Sequence, residues 1–227
     1  MAQLLRIDAS PRDARSHTRR LADVFIEAWL ARHPADRVVR RDVGFHPPPP
    51  VDESWIEAAF TGPQERTPAM RAALALSDEL VDELLASDVL LLGIPMYNFG
   101  IPAALKAWID QVVRVGRTFA FEPDDPHQPY RPLTRGKRAF AIVATGDDGY
   151  EPGGPMGRMN QVEPYLRTVL PFIGIMDIDF VYVGNDEFGG DRLERAVNAA
   201  VARVRELAAR AHRPRGPVEA EVEEAGT

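Results

Sequence analysis

Between Asp88 and Pro95 the chain reads DVLLLGIP, a continuously apolar run bounded by an acidic residue and a proline. It is too short for a core helix, and no polar residue alternates through it. Such a strand has to be buried on both faces, which requires a parallel sheet with helices above and below. The flanking sequence supplies them. QLLRID (Gln3 to Asp8) predicts a first strand, and SHTRRLADVFIEAWLARH an amphipathic helix with Leu21, Phe25, Ala28 and Trp29 at helical spacing. DRVVRRDV reads as a short second strand. Four consecutive prolines then make GFHPPPPVDESW an irregular connection, since proline fixes φ and donates no hydrogen bond. TPAMRAALALSDELVDELLASD is helical, with Leu76, Leu80 and Leu84 on one face. After the apolar strand, PAALKAWIDQVVRVG is a helix with Pro102 near its first turn and Gly116 at its end. EPDDPHQPYRPLTRG is a long polar loop. KRAFAIVAT and MDIDFVYVG are strands, separated by the helix VEPYLRTVLPFIGI, and DRLERAVNAAVARVRELAARAH closes the series as a helix.

Strand and helix therefore alternate, and right-handed crossovers turn that alternation into a parallel sheet covered on both sides. Five strands predict a flavodoxin-like three-layer α/β/α sandwich with strand order 2-1-3-4-5. The sequence predicts one domain over residues 1–212. The tail 213–227 has no core-forming pattern and is expected to be disordered. Ligands of such sheets sit beyond the carboxyl ends of the strands, at the switch point between strands 1 and 3. The loops after strands 1, 3 and 4 are then the informative ones.

Composition removes several function classes. The chain has 227 residues and no cysteine, which excludes disulfides, thiolate catalysis and cysteine metal sites. Its formal net charge of -7 offers no basic face for nucleic acid. No apolar run is long enough to span a membrane. The N-terminal stretch MAQLLRIDAS lacks the uninterrupted apolar core of a signal peptide, so a cytoplasmic protein is expected. His17, His33, His46, His127 and His212 are scattered without metal-ligand spacing, and no G-x-S-x-G elbow marks a serine nucleophile.

The loop after strand 1, DASPRDARSHTRR, feeds a helix N-terminus whose free N–H groups and positive dipole end favour an anion. Ser10, Ser16 and Thr18 add hydroxyls, and Arg12, Arg15, Arg19 and Arg20 add charge. The competing reading is a Ser16 helix cap with solvated arginines. Without glycine this loop matches neither G-x-G-x-x-G nor a Walker A motif, which leaves a phosphate monoester. The loop after strand 3, PMYNFGIP, offers Met96, Tyr97 and Phe99 as flat or polarizable surface on a proline-stiffened backbone. Its alternative is simple packing into core or a subunit contact. The loop after strand 4, ATGDDGYEPGGPMG, permits close backbone approach at Thr145, Gly146 and Gly149, or is an ordinary surface loop. Together the three describe a mononucleotide with a planar ring, for which FMN is the economical choice.

PMYNFGIPAALKAWIDQVVRVGRTF also resembles the signature segment of the bacterial FMN-dependent NADH:quinone oxidoreductases, or azoreductases, and the resemblance runs through nearly the whole chain. It implies that Ser10 and the triplet Ser16, His17 and Thr18 hold the FMN phosphate. It implies that Met96, Tyr97, Asn98 and Phe99 contact the ring, with Thr145, Gly146, Asp147 and Asp148 against it from the loop after strand 4. That last loop departs from the family's S-R-G-G pattern, and Tyr150 stands where a histidine is usual. The resemblance further implies NADH or NADPH as donor, quinone or azo compounds as acceptors in a two-electron ping-pong exchange, and a homodimer with the flavin near its interface. Phe99, Phe121 and Tyr150 are the expected walls of the substrate pocket. Backbone N–H groups near Asn98 and Thr145 are expected to stabilise negative charge on the ring, with no side chain acting as an obligatory catalyst. The competitors are an FMN-binding electron carrier without NAD(P)H oxidation and a regulatory protein that has lost FMN.

Overall fold

A computed structural model of the chain describes residues 1–210. Strands β1 (Gln3–Asp8), β2 (Arg37–Asp42), β3 (Val89–Pro95), β6 (Arg138–Ala144) and β7 (Asp177–Val183) form one parallel sheet in the order β2-β1-β3-β6-β7. Counted within that sheet alone, this is the expected 2-1-3-4-5 arrangement. The two-residue period of β3 explains its composition. Val89 and Leu91 point to one layer, where they pack with Leu21, Phe25 and Trp29. Leu90, Leu92 and Ile94 point to the other, against Leu80, Leu84 and Trp108. Each of these side chains withdraws from water for roughly 1.5–3 kcal/mol, so neither face tolerates a polar residue.

Helices α1 (His17–Arg32) and α6 (Gly190–Arg210) cover the first face. Helices α3 (Pro68–Ala86), α4 (Ala103–Val112) and α5 (Val162–Ile173) cover the second. No helix among the described residues is long and apolar enough to cross a membrane. The last two residues of the expected domain and the whole 213–227 tail lie outside the described residues.

Three stretches differ from expectation. The connection after the prolines is irregular only as far as Asp52, whose carboxylate accepts the Trp55 N–H at 2.8 Å and caps a short helix, α2 (Glu53–Phe60). The helix expected to run to Gly116 ends at Val112. There Thr118 Oγ1 donates to Val112 O (2.7 Å) and accepts the Arg114 N–H (2.8 Å), drawing the chain out of the helix. The long polar loop is not wholly irregular. Its Tyr130–Pro132 segment (β5) pairs antiparallel with Phe119–Phe121 (β4), closed by an Arg131–Glu122 ion pair at 2.7 Å.

Candidate functional site

The carboxyl ends of β1, β3, β6 and β7 open onto a common cleft. On the β1 side Ser10, Ser16 and Thr18 are buried polar residues. Ser16 is the N-cap of α1 and accepts the Arg19 N–H at 3.3 Å, while its Oγ lies 3.1 Å from Thr18 Oγ1. Two buried hydroxyls thus stand beside the open N–H groups of the first helical turn, and that turn carries no acidic residue. The arginines divide their work. Arg19 is a structural pin that donates to Ser10 O (2.6 Å), Arg12 O (2.8 Å) and Asp42. Arg12 and Arg15 line the cleft; Arg20 does not.

Beneath the cradle sits Asp8, 5% exposed, with Arg6 Nε 2.7 Å and Arg19 Nη1 3.6 Å from its Oδ2. Burial pushes the Asp8 carboxyl up, against the pull of Arg6 and Arg19. Gly44 presses on the loop from the other side: a Cβ there would lie 2.2 Å from Ser10 O. Only glycine allows that approach.

On the β3 side the chain makes a tight turn from Tyr97 to Gly100, with reciprocal N–H to C=O bonds of 3.0 Å each. Its central residues, Asn98 (φ 47°) and Phe99 (φ 70°), both lie in the left-handed region. Asparagine tolerates that conformation; phenylalanine is strained by it. The turn persists because Gln161 N–H donates to Phe99 O (2.8 Å) and Met96 N–H to Ala144 O (2.8 Å). Tyr97 and Phe99 are each 41% exposed, so the turn presents its aromatic rings rather than burying them in the core. Burial also raises the Tyr97 phenol above its ordinary value, and Asp186 adds to this against Arg12, so the hydroxyl stays protonated at neutral pH.

On the β6 side Thr145 and Gly146 line the cleft. The Thr145 amide donates to Val183 O at 2.9 Å, so it is not available to a ligand as expected. The next amide, at Gly146, has no partner among the described residues. Asp147 and Asp148 do not line the cleft. They fold back over Gly184, where a Cβ would lie 2.8 Å from Asp147 O, and Asp148 accepts a bond from Asn185 Nδ2 at 3.3 Å. Tyr150 is 9% exposed, with its ring 6.4 Å from that of Phe99. Phe121 is not at the cleft within the chain. The β4–β5 pairing stacks it on Tyr130 at 5.5 Å, and it lines a separate groove with Phe60 and Pro63.

Sequence reasoning missed the loop after β7. Asp186 reaches into the cleft, bonded to Arg12 Nη1 (2.7 Å) and to His17 Nε2 (3.2 Å), and Glu187 lies over Gly146. The available signal was topological: β7 neighbours β6, so its carboxyl end had to border the same cleft.

A family model described as the flavodoxin-like fold matches residues 2–208. FMN-dependent NAD(P)H:quinone oxidoreductase 1 of Pseudomonas aeruginosa is 48% identical over 209 residues, covering 92% of this chain and 99% of that protein. The chain belongs to the FMN-dependent NADH:quinone oxidoreductase family. A second family member, from Nostoc punctiforme, is 45% identical over 202 residues, covering 89% of this chain and 96% of its own. Among solved structures, an azoreductase from Bacillus anthracis superposes with a TM-score of 0.81 at 24% identity, over 92% of this chain and 99% of that one, and so shares the fold. Set against the family pattern, the residues that gather at the cleft are Ser10, Ser16, His17, Thr18, Met96, Tyr97, Thr145 and Gly146. Of the other expected cofactor contacts, Asn98 and Phe99 are not in the cleft lining, and Asp147 and Asp148 turn away from it.

Proposed function

We infer that the chain is an FMN-dependent NAD(P)H:quinone oxidoreductase that also cleaves azo compounds reductively. The observation that carries this reading is the meeting, at the β1/β3 switch point, of a hydroxyl-rich helix N-terminus with a strained aromatic turn, in a member of this family. The donor set fits FMN. Buried hydroxyls and open helix amides suit a phosphate monoester, and the loop after β1 has no glycine with which to wrap a pyrophosphate.

In this reading Ser10, Ser16, His17 and Thr18 hold the phosphate. Arg12 also pairs with Asp186, whose charge would otherwise repel it, and His17 Nε2 lies within hydrogen-bond reach of the same carboxylate. Met96, Tyr97, Asn98 and Phe99 border the ring on one side and Thr145 and Gly146 on the other. Asp147 and Asp148 shape the second loop from behind. The amides of Asn98 and Gly146, unpartnered among the described residues, are the donors for negative charge on the ring. FMN held there would supply the redox chemistry, with NADH or NADPH as hydride donor and the acceptor taking two electrons. Phe99 and Tyr150 form the wall against which a planar acceptor lies after the oxidised nicotinamide has left, which makes the kinetics ping-pong.

The active form is a homodimer with the ring near its interface. Exposed Ile56, Phe60, Phe121 and Tyr130 support this, since they give one chain more exposed apolar surface than it needs alone. The need for NADH or NADPH supports a cytoplasmic enzyme. The test is the visible spectrum of the purified protein before and after anaerobic addition of NADH. Flavin absorption that bleaches supports the reductase. Flavin that stays oxidised with both NADH and NADPH identifies an electron carrier, and failure to take up FMN removes the reading altogether. Sedimentation of the same sample tests the dimer.

A further inference from the structure

Asn160 lies between the loops of the cleft and belongs to none of the contacts assigned above. It is 3% exposed, and its amide is fully used. Oδ1 accepts the N–H groups of Val162 (2.8 Å) and Glu163 (3.3 Å), so from the position before the N-cap Gln161 it serves two open donors of the first turn of α5. Nδ2 donates to Tyr150 O (2.9 Å) and to Tyr182 Oη (2.8 Å). Tyr182 donates in turn to Glu163 Oε2 (2.6 Å), and Glu163, 5% exposed, is paired with Arg167 at 2.7 Å. The orientation of the amide follows from these bonds: the helix N–H groups need its oxygen, and the Tyr182 hydroxyl spends its proton on Glu163. The next residue closes the other half of the arrangement, because Gln161 N–H holds Phe99 O at 2.8 Å. One dipeptide therefore fixes the backbone of both Tyr150 and Phe99.

Capping a helix needs only an oxygen, and serine or aspartate would do it as well. The two N–H donors of Asn160 are surplus to that task, and both are spent inside the protein. We propose that Asn160 is a positioning residue for the electron acceptor, holding Tyr150 against Phe99 so that the two rings form one continuous wall. This rests on the reading of Phe99 and Tyr150 as the acceptor wall.

The test is Asn160→Ser in the FMN-loaded enzyme, with 2-methyl-1,4-naphthoquinone as acceptor. Serine keeps a cap and loses both donors. KM for the quinone should rise about tenfold, as loss of well-ordered buried hydrogen bonds predicts. Equilibrium binding of the same quinone to the oxidised holoenzyme, read from the flavin absorption change without turnover, should weaken by the same factor. Both kcat and FMN affinity should stay within about twofold of wild type. A lower melting temperature with unchanged quinone KM overturns the proposal, because Asn160 is then a cap alone. Loss of FMN affinity in step with KM also overturns it. If Asn160→Ser does not fold, Asn160→Thr also keeps an oxygen for the helix while removing the N–H donors, and the same rise in KM is expected. Tyr150→Leu separates the two layers of the argument. If it raises KM while the Asn160 variants do not, only the positioning role fails; if it leaves KM unchanged, the wall itself is wrong and the proposal falls with it.

Discussion

Ser16 can be made to separate two roles that coincide at one atom. Its Oγ caps α1 with a 3.3 Å bond from Arg19 N–H, and the same buried hydroxyl, 3.1 Å from Thr18 Oγ1, faces the cleft. The cap bond is long, so its loss in Ser16→Ala should cost the apo protein about 0.5–1 kcal/mol. For a chain of this size that is roughly 1–4 °C in melting temperature. A hydrogen bond from the hydroxyl to a phosphate is charge-assisted, and at a buried site no water replaces it. Its loss should cost about 1.5–3 kcal/mol of binding, or roughly 10- to 150-fold in Kd for FMN. Ser16→Asp reverses the balance. A carboxylate caps as well as a hydroxyl, and α1 has no acidic residue in its first turn, so the dipole should return a few tenths of a kcal/mol. That same charge faces the phosphate, and FMN affinity should fall by at least about a hundredfold. Thermal unfolding of the apo proteins and titration of FMN by fluorescence quenching read the two quantities separately. If Ser16→Ala destabilises the apo protein but binds FMN like wild type, or if Ser16→Asp retains FMN, the hydroxyl is only a cap and the phosphate lies elsewhere.

Gly44→Ala should test the support under the cradle. Its Cβ would fall 2.2 Å from a backbone oxygen that no rotamer change can move, so about 1–3 kcal/mol of stability should be lost in urea unfolding, together with FMN affinity. Phe99→Gly should relieve strain of about 1 kcal/mol at φ 70°, leaving apo stability equal or higher while the quinone KM rises. Tyr182→Phe strips Asn160 and Glu163 of a shared partner and should cost about 1–2 kcal/mol at neutral pH. Burial first, and then the Glu163 carboxylate, raise the Tyr182 phenol. A raised folded value means that the stability it contributes is complete below the unfolded phenol's pKa of about 10 and is lost as pH climbs above it. The variant should therefore show a shallower alkaline decline in denaturant midpoint than wild type.

What the sequence disclosed and what it hid follow from different physics. The apolar run at β3 admits few packings, because a strand buried on both faces forces helices above and below it, and the sheet order follows from the crossovers. Helix α2 stayed hidden because eight residues after a proline run carry little periodicity, and its only marker was the Asp52 cap. The ribbon β4–β5 was hidden because its strands are three residues each, too short for alternation to register. At the cleft, the hydroxyl cluster and the pair Met96 and Tyr97 were legible because each group sits within one short loop at a strand's carboxyl end. The positive φ of Phe99 was not, since local preference argues against it and the bond that enforces it comes from Gln161, remote in sequence. The direction taken by Asp147 and Asp148 was not legible, because charge carries no direction in a sequence. The space that lets them turn away is made by Gly184, on another strand's loop. Arg19, Gly44 and Asn160 share that logic. Arg19 and Asn160 supply donors that several residue types offer, Gly44 an absence of volume, and only the fold determines where each acts. A motif can therefore identify what touches the ligand, while the residues that hold the motif in shape become visible once the strands are in register.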